Sequence, residues 1–509
     1  MPSIYIINPA SSAPGYHTAE AFADETGGWT QVADLSVVTL AALVPSGWTV
    51  RLVDEAISPA DLASDADFVA ITGKVSQRGR MIELAAEFRR RGRTVLIGGS
   101  FASLNPEDMR THADILVTGE IEQLAPKLFD DLASGNWNDR YDGGQADISR
   151  SPVPRWDLYP TDRAMAGALQ TTRGCPFNCE FCDVIQYQGR KQRHKTVSQV
   201  LAELSELHAY GFRNVFLVDD NFTVHRRWAR QVLEALAEWN DAHAGDPVRF
   251  LTQASLDVAR DPDMLDRCRA AGLRTLFMGV ETTNEESLRE TGKLQNLLLP
   301  MSEAISRIVT KGIAVQAGVI VGFDHDGPDI FDRLFDFFQE SPLPDLSIGV
   351  LTAPAKTDLY GRLAREGRLI GEIWQTSAGS PFETNIRPAQ MDRDTLLEGT
   401  RRLCIELYAP RHYEKRMLNL IDSYGESDAV PVSPSARDGG SGRRRALQMF
   451  RRIAARGPRE SEMVSNILRQ ASRKPAVLPT VMHFLARYEQ ARCVLDHFAV
   501  PAPAHAIYA

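Results

Sequence analysis

Short apolar runs rich in β-branched residues alternate with amphipathic stretches over most of this 509-residue chain. Residues 3–7, 49–53, 68–72, 94–97 and 115–118 read as strands, and 35–44, 80–91 and 121–133 carry helical periodicity. Strands separated by helices in this way predict an α/β unit with a parallel, doubly wound sheet. The pattern restarts near position 168. Strands are predicted at 168–172, 214–218, 249–252, 274–278, 313–320 and 346–350, with helices at 198–210, 225–240, 262–271, 301–311 and 329–340 between them. Six such repeats curl into a partial (β/α)6 TIM-like barrel whose chemistry belongs at the carboxyl ends of its strands. After about 351 the pattern is mostly helical, interrupted by a Ser-, Pro- and Gly-rich stretch at 423–442 that reads as a flexible linker. The predicted units are therefore 1–140, a linker at 141–164, a barrel at 165–350 and a helical domain at 351–509.

Composition narrows the function only a little. Hydrophobic residues at 43% and charged residues at 24% are those of an ordinary globular protein, and a net charge of −9 argues against a nucleic-acid partner. No run of eighteen apolar residues predicts a membrane span, and the opening residues lack a basic leader, so a cytoplasmic location is expected. Six cysteines in a chain of this length do not make a disulfide framework.

Three of those cysteines carry the chemistry. Cys175, Cys179 and Cys182 fall within eight residues, on a loop that follows the first barrel strand. One loop can thus aim three thiolates at a 4Fe–4S cluster and leave one iron without a protein ligand. Zinc would require a fourth ligand, often as a second paired motif, and the nearest histidine, His194, has no such partner. Cys268, Cys404 and Cys493 lie in apolar helical patterns and are expected to be buried and structural. Polar residues recur at other strand ends of the barrel: Asp219, Asp220 and Asn221, then Gln253 and Ser255, then Glu281. They suit an amine, a carboxylate or ribose hydroxyls. Asn284 reads as a helix cap instead. In the first unit the strand ends carry Asn8-Pro9, Thr72-Gly73, Gly98-Gly99 and Gly119-Glu120, and glycines there let a bulky ligand approach the backbone. No Gly-x-Gly-x-x-Gly follows the first strand, which disfavours a dinucleotide.

The run from Thr171 to Cys182 resembles the cluster loop of radical S-adenosylmethionine (SAM) enzymes, Cys-x-x-x-Cys-x-aromatic-Cys, with Phe181 in the aromatic place. The likeness extends through Leu217–Phe222 and Gly279–Glu281. The cysteine-free first unit resembles the Rossmann-like cobalamin-binding domain of cobalamin-dependent members, on Asn8, Thr72, Gly73, Lys74, Val75, Ser76, Gln77, Gly98, Gly99, Gly119 and Glu120. This resemblance implies that Cys175, Cys179 and Cys182 ligate the cluster and that SAM binds the open iron. It also implies that Phe181 packs near the adenine. Asp219, Asp220 and Asn221 stand where the family often has Gly-Gly-Glu at the SAM amine, and Glu281 stands where a strand end meets the ribose. Neither His17 nor His112 follows an aspartate at the spacing of cobalt-ligating histidines, which implies a cobalt without that ligand and suits methyl transfer to a carbon radical. Lys74–Gln77 would face its lower side.

The function implied is a cobalamin-dependent radical SAM methyltransferase acting on an unactivated carbon of a small-molecule or lipid substrate. It would draw electrons from a flavodoxin or ferredoxin. The alternatives are a cyclase or rearrangement enzyme with the same cofactors and, in another class, a non-catalytic cobalamin sensor. Methylthio transfer would require cysteines in the first unit, and none precedes Cys175. The basic amphipathic stretch at 443–456 offers a peripheral membrane contact.

Overall fold

A computed structural model describes residues 1–24, 27–371, 380–425 and 441–499, with the side chains of 441–445 left aside. Most of the expected linker at 423–442 lies outside the described residues. The strands of the first half are β1 (Ser3–Asn8), β2 (Thr30–Val32), β3 (Thr49–Asp54), β4 (Phe68–Thr72), β5 (Thr94–Gly98), β6 (Ile115–Thr118) and β7 (Arg140–Asp142). Six of them form a parallel sheet in the order β3-β1-β4-β5-β6-β7. Its strands are apolar on both faces because both are covered. Tyr5 and Ile7 pack with Met81, Leu84 and Phe88 of helix Arg78–Arg90. Ile4 and Ile6, one residue out of phase, pack with Val37, Val38 and Phe129 on the other side. The strand order reverses between β1 and β4, and the crevice beyond their carboxyl ends is where such sheets bind ligands.

The second sheet uses β8 (Ala164–Leu169), β11 (Asn214–Leu217), β12 (Arg249–Gln253), β13 (Leu273–Glu281), β14 (Ala314–Val321) and β15 (Leu346–Val350). The short strands β9 (Thr172–Arg173) and β10 (Arg193–His194) pair with each other beyond the rim. The parallel order is β15-β14-β13-β12-β11-β8-β2, a half-barrel with one strand more than the sequence pattern implied. The extra strand is β2, which leaves the first unit to pair Thr30 with Ala164 and Val32 with Ala166. Outer helices close the convex face through spaced apolar residues, such as Val232, Leu233 and Leu236 of Arg226–Ala242. Gly167 of β8 sits where a Cβ would come within 2.8 Å of Leu207, so a small residue lets the helix lie close to the strand.

Of the C-terminal helices, Arg393–Leu407 and Pro410–Ser423 pack against the outer helix Ile330–Glu340, while Leu478–Ala499 reaches β14 through His483 and Gln316. In the helix Ser441–Ala455, Met449 and Ile453 are buried, so the apolar side of the basic stretch is turned inward. Cys268 and Cys404 are buried as expected, whereas Cys493 is only half-buried. Among the described residues no helix is long and apolar enough to cross a membrane.

Candidate active site

The cysteine loop is held in place before any cofactor enters. Asp219, at the end of β11, accepts the amides of Thr171 (2.7 Å) and Thr172 (3.0 Å). Its neighbour Asp220 accepts the amide of Gly174 at 2.8 Å, and burial pushes the Asp220 carboxyl up to about 6. Gly174 has φ of +92°, and a Cβ there would stand 2.7 Å from the Lys191 carbonyl, so the residue before Cys175 must be glycine. Cys175 then donates its amide to Gly189 O and Cys182 to Cys179 O. Asn221 donates to Ser255 Oγ at 2.7 Å. Asp219 and Asp220 therefore brace the loop backbone, and Asn221 is tied to Ser255 through Nδ2 while its buried Oδ1 makes no hydrogen bond among the described residues.

All three thiols are free, Cys179 buried and the other two half-buried. Burial pushes the Cys175 thiol up and the Cys182 thiol to about 12, so a metal must displace their protons. Gln295 Nε2 lies 3.7 Å from Cys179 Sγ as a donor. Lys293 stands near the Cys179 and Cys182 sulfurs. Burial works against its charge, but Glu281 and those sulfurs outweigh burial and hold its pKa up. Among the described residues no group of three His, Cys, Asp or Glu side chains is placed to hold a single metal ion. Thiols that ligate separate irons of one cube do not have to meet at a point. An uncrosslinked trio, one thiol buried and two half-buried, with a donor and a cation beside it fits an iron–sulfur cluster.

Two ion-pair systems frame the trio. Lys293 Nζ donates to Glu281 Oε1 at 2.7 Å, both nearly buried. Glu281 has φ of +63° at an irregularity in the pairing of β13 with β14, a strained conformation for a non-glycine residue. Asn296 Nδ2 ties down the carbonyls of Gly279 and Val280 there. On the other side Arg362 forks onto Glu180 at 2.6 and 3.0 Å and also reaches Asp324. Phe181 packs against Phe323, ring centroids 5.8 Å apart, in a small apolar cluster with Leu359 and Leu363. Lys293, Gln295, Asn296 and Arg362 were not selected from the sequence. They lie in short helices and turns whose burial no local pattern announces.

Across from the loop, amides and glycine backbone dominate the ends of β1, β4 and β5. Asn8 donates to Asp54 (3.0 Å) and accepts from Gln77 (2.8 Å), while Gln77 Oε1 accepts the Lys74 amide (2.9 Å). This closes the turn Val75–Gln77, with Val75 packed inward and the Ser76 carbonyl accepting the Ser12 amide. Gly99 has φ of +93°, and a Cβ on it would stand 2.7 Å from Gly73 N. Glu120 points across the domain boundary, where it pairs with Arg173 at 2.8 Å and with Arg193.

Between the two surfaces lies a cavity of about 1790 Å³. Asn8, Thr72, Gly73, Lys74, Gln77, Gly98, Gly99, Gly119 and Glu120 line one side. Gln253, Phe216, Phe277 and Gln316 on the concave face of the half-barrel line the other, together with Gln170, Arg173, Tyr187 and Gln188, which flank the cysteine loop. Asp219, Asp220, Asn221, Ser255, Glu281 and Phe181 surround the loop itself, outside that lining.

Comparison with known proteins identifies the relatives of this chain. The Radical SAM superfamily profile matches residues 169–357, and that of a domain of unknown function, DUF4070, matches 357–496. An uncharacterized methyltransferase of Synechocystis sp. is 33% identical over 412 residues, spanning 79% of this chain and 76% of that protein. The hopanoid C-2 methylase of Rhodopseudomonas palustris is 34% identical over 342 residues, 66% of this chain and 64% of its own. The cobalamin-dependent SAM radical enzyme OxsB shares the fold at a TM-score of 0.62, with 15% identity, over 98% of this chain and 80% of that one.

Proposed function

The chain belongs to the radical SAM superfamily, among relatives named methyltransferases, and on that premise we propose that it methylates an unactivated carbon of a large, mostly apolar small molecule or lipid with cobalamin as a second cofactor. Cys175, Cys179 and Cys182 would hold the 4Fe–4S cluster, and the sheet ends around Gly73, Gly99 and Gly119 would seat the cobalamin. When bound, the cluster supplies one-electron reduction of SAM and cobalamin supplies a methyl carrier. The remaining work is the chain's own. Asp219 and Asp220 keep the cysteine loop in register with β11. Lys293 offers positive charge beside the thiolates, and C-terminal residues such as Met482 and His483 wall the cavity.

The single observation that carries this reading is the shared cavity. The segments flanking the cysteine loop and the glycine-bearing sheet ends open on the same space of about 1790 Å³, room for a cofactor and a substrate together. Relatives named for methylation of a hopanoid and of a bacteriochlorophyllide support an extended apolar framework as substrate. An electron donor of the flavodoxin or ferredoxin class completes the scheme. A peripheral membrane contact would use the outer face of helix Ser441–Ala455, where Leu447 is 48% exposed beside Arg451.

The test is anaerobic reconstitution with iron, sulfide and cobalamin, followed by methyl-labelled SAM and a lipid extract from a strain lacking the enzyme. A product heavier by one methylene unit and carrying the label is expected. Deoxyadenosine with an unlabelled product would instead make the enzyme a cyclase or rearrangement catalyst. No deoxyadenosine with any reductant would leave a sensor.

A further inference from the structure

The last helix, Leu478–Ala499, lies against the concave side of the half-barrel and brings two side chains to β14 and its neighbours. Arg487 Nε donates to Asp345 Oδ2 at 2.7 Å in a pair whose side chains are 6% and 1% exposed. Burial pushes the Asp345 carboxyl up, but the Arg487 guanidinium outweighs it and holds the carboxyl below the usual aspartate range. An ionised carboxylate only accepts hydrogen bonds. The Gln316 atom that meets Asp345 Oδ2 at 2.8 Å is therefore the amide nitrogen. That nitrogen also stands 3.1 Å from His483 Nε2, which must accept, so the ring proton sits on Nδ1. Burial and the nearby Arg487 charge hold the His483 pKa down to about 4, and the ring is neutral at pH 7.

Two groups are left over, one acceptor (Gln316 Oε1) and one donor (His483 Nδ1–H). Neither makes a hydrogen bond among the described residues, and both residues line the cavity. Phe277, the register neighbour of Gln316, and the His17 ring edge-on to it at 5.4 Å form the wall beside them. We propose that Gln316 and His483 form a recognition site for a neutral hydroxyl on the substrate, which donates to Gln316 Oε1 and accepts from His483 Nδ1–H. A carboxylate or phosphate has no proton for Gln316, and an ammonium has no lone pair for His483. An alcohol on an apolar body satisfies both.

Gln316 precedes the strand end at Val321 by five residues, which places the hydroxyl on the order of 16 Å below the rim. This distance rests on the reading that methyl transfer happens at the rim, so the reacting carbon and the alcohol belong at opposite ends of an elongated molecule. The proposal also gives the DUF4070 segment a role, since it contributes His483 and Arg487.

Cholestan-3-ol, its methyl ether and the parent cholestane can be titrated in detergent into the iron-loaded holoprotein, with the change in tryptophan emission on displacing water from Trp29, which lines the cavity, read against a Trp29→Phe control. The alcohol should bind ~10-fold or more tightly than the ether and the hydrocarbon. His483→Phe, which keeps the Gln316–Asp345 bond, should remove most of the alcohol's advantage, leaving only what the bond to Gln316 Oε1 supplies, and leave hydrocarbon binding unchanged, which also reports an intact fold. Equal binding of all three probes by the wild type, or an alcohol preference undiminished in His483→Phe, overturns the proposal. These readouts require no turnover. Protein that prefers the alcohol through His483 yet transfers no methyl would sink the methyltransferase reading and leave this one standing.

Discussion

The segments flanking the cysteine loop and the glycine-bearing sheet ends face one cavity from opposite sides, and the two surfaces are built on different physics. Around the loop, charge is buried and paired: Glu180 with Arg362, Glu281 with Lys293, Glu122 with Arg173. Across the cavity, amides and bare backbone dominate the ends of β1, β4 and β5, and the paired Glu55 and Glu120 stand at the margins. Asn8 and Gln77 satisfy each other, and Gly73 and Gly99 expose backbone at close approach. A compact thiolate-bound cluster needs fixed donors and counter-charge, which a low-dielectric setting strengthens. A bulky cofactor needs area and the absence of side chains. One surface is fixed by electrostatics and the other by shape.

The largest expected break in this symmetry is Cys179→Ala. Iron retention, SAM cleavage and methyl transfer should all be lost, while cobalamin retention stays near the wild-type level because the Asn8–Gln77 bond and the open backbone at Gly73 and Gly99 do not involve the thiols. Iron analysis and the visible spectrum of one purified sample read both halves. Loss of both cofactors would mean that the two surfaces are not independent.

Gly99→Val is the reciprocal. Its φ of +93° and a Cβ within 2.7 Å of Gly73 N leave no room for a side chain, at a destabilisation of about 2–3 kcal/mol. The variant should lose cobalamin and keep its iron. Glu120→Gln tests the joint between the surfaces. It removes the carboxylate that Arg193 and Arg173 share, and Glu122 remains as a partner for Arg173 alone. A loss of about 2 kcal/mol is expected, with a single thermal unfolding transition splitting into two as the first unit uncouples.

The same contrast explains what could be read from residues alone. A cluster loop must place its ligands within one turn of chain, so Cys175, Cys179 and Cys182 stood out. The strand expected at 115–118 is β6 as observed, Ile115–Thr118, because a buried parallel strand is a continuous apolar run. β2 was invisible: three residues long, it has no period of its own and is defined by pairing with Ala164 and Ala166. Arg487 and Asp345 are 142 positions apart, and a helix residue that turns its charge inward looks like any surface arginine until the fold closes around it. Shape-built sites and long-range pairs are properties of the tertiary structure, and local pattern carries little of either.

The smallest expected effect probes the cavity wall through its acid limb. An imidazole in the unfolded chain takes a proton below about pH 6.5, whereas burial and Arg487 delay this in folded His483 until about pH 4. Between those values the unfolded state binds more protons, so the contribution is whole above pH 6.5 and is lost as the pH falls toward 4. Solvent that enters the cavity reaches the ring, which reduces the loss to about 1–2 kcal/mol. Phenylalanine does not titrate. The drop in melting temperature from pH 7 to pH 5 should therefore be smaller in His483→Phe than in the wild type, by about 1–2 °C. His17, whose pKa burial lowers to about 3, contributes in the same direction in both proteins and cancels from the comparison. Equal drops would mean that folded His483 accepts a proton as readily as it does in water, and a ring so easily charged could not hold the acceptor role at Nε2 that the Gln316 bond assigns to it.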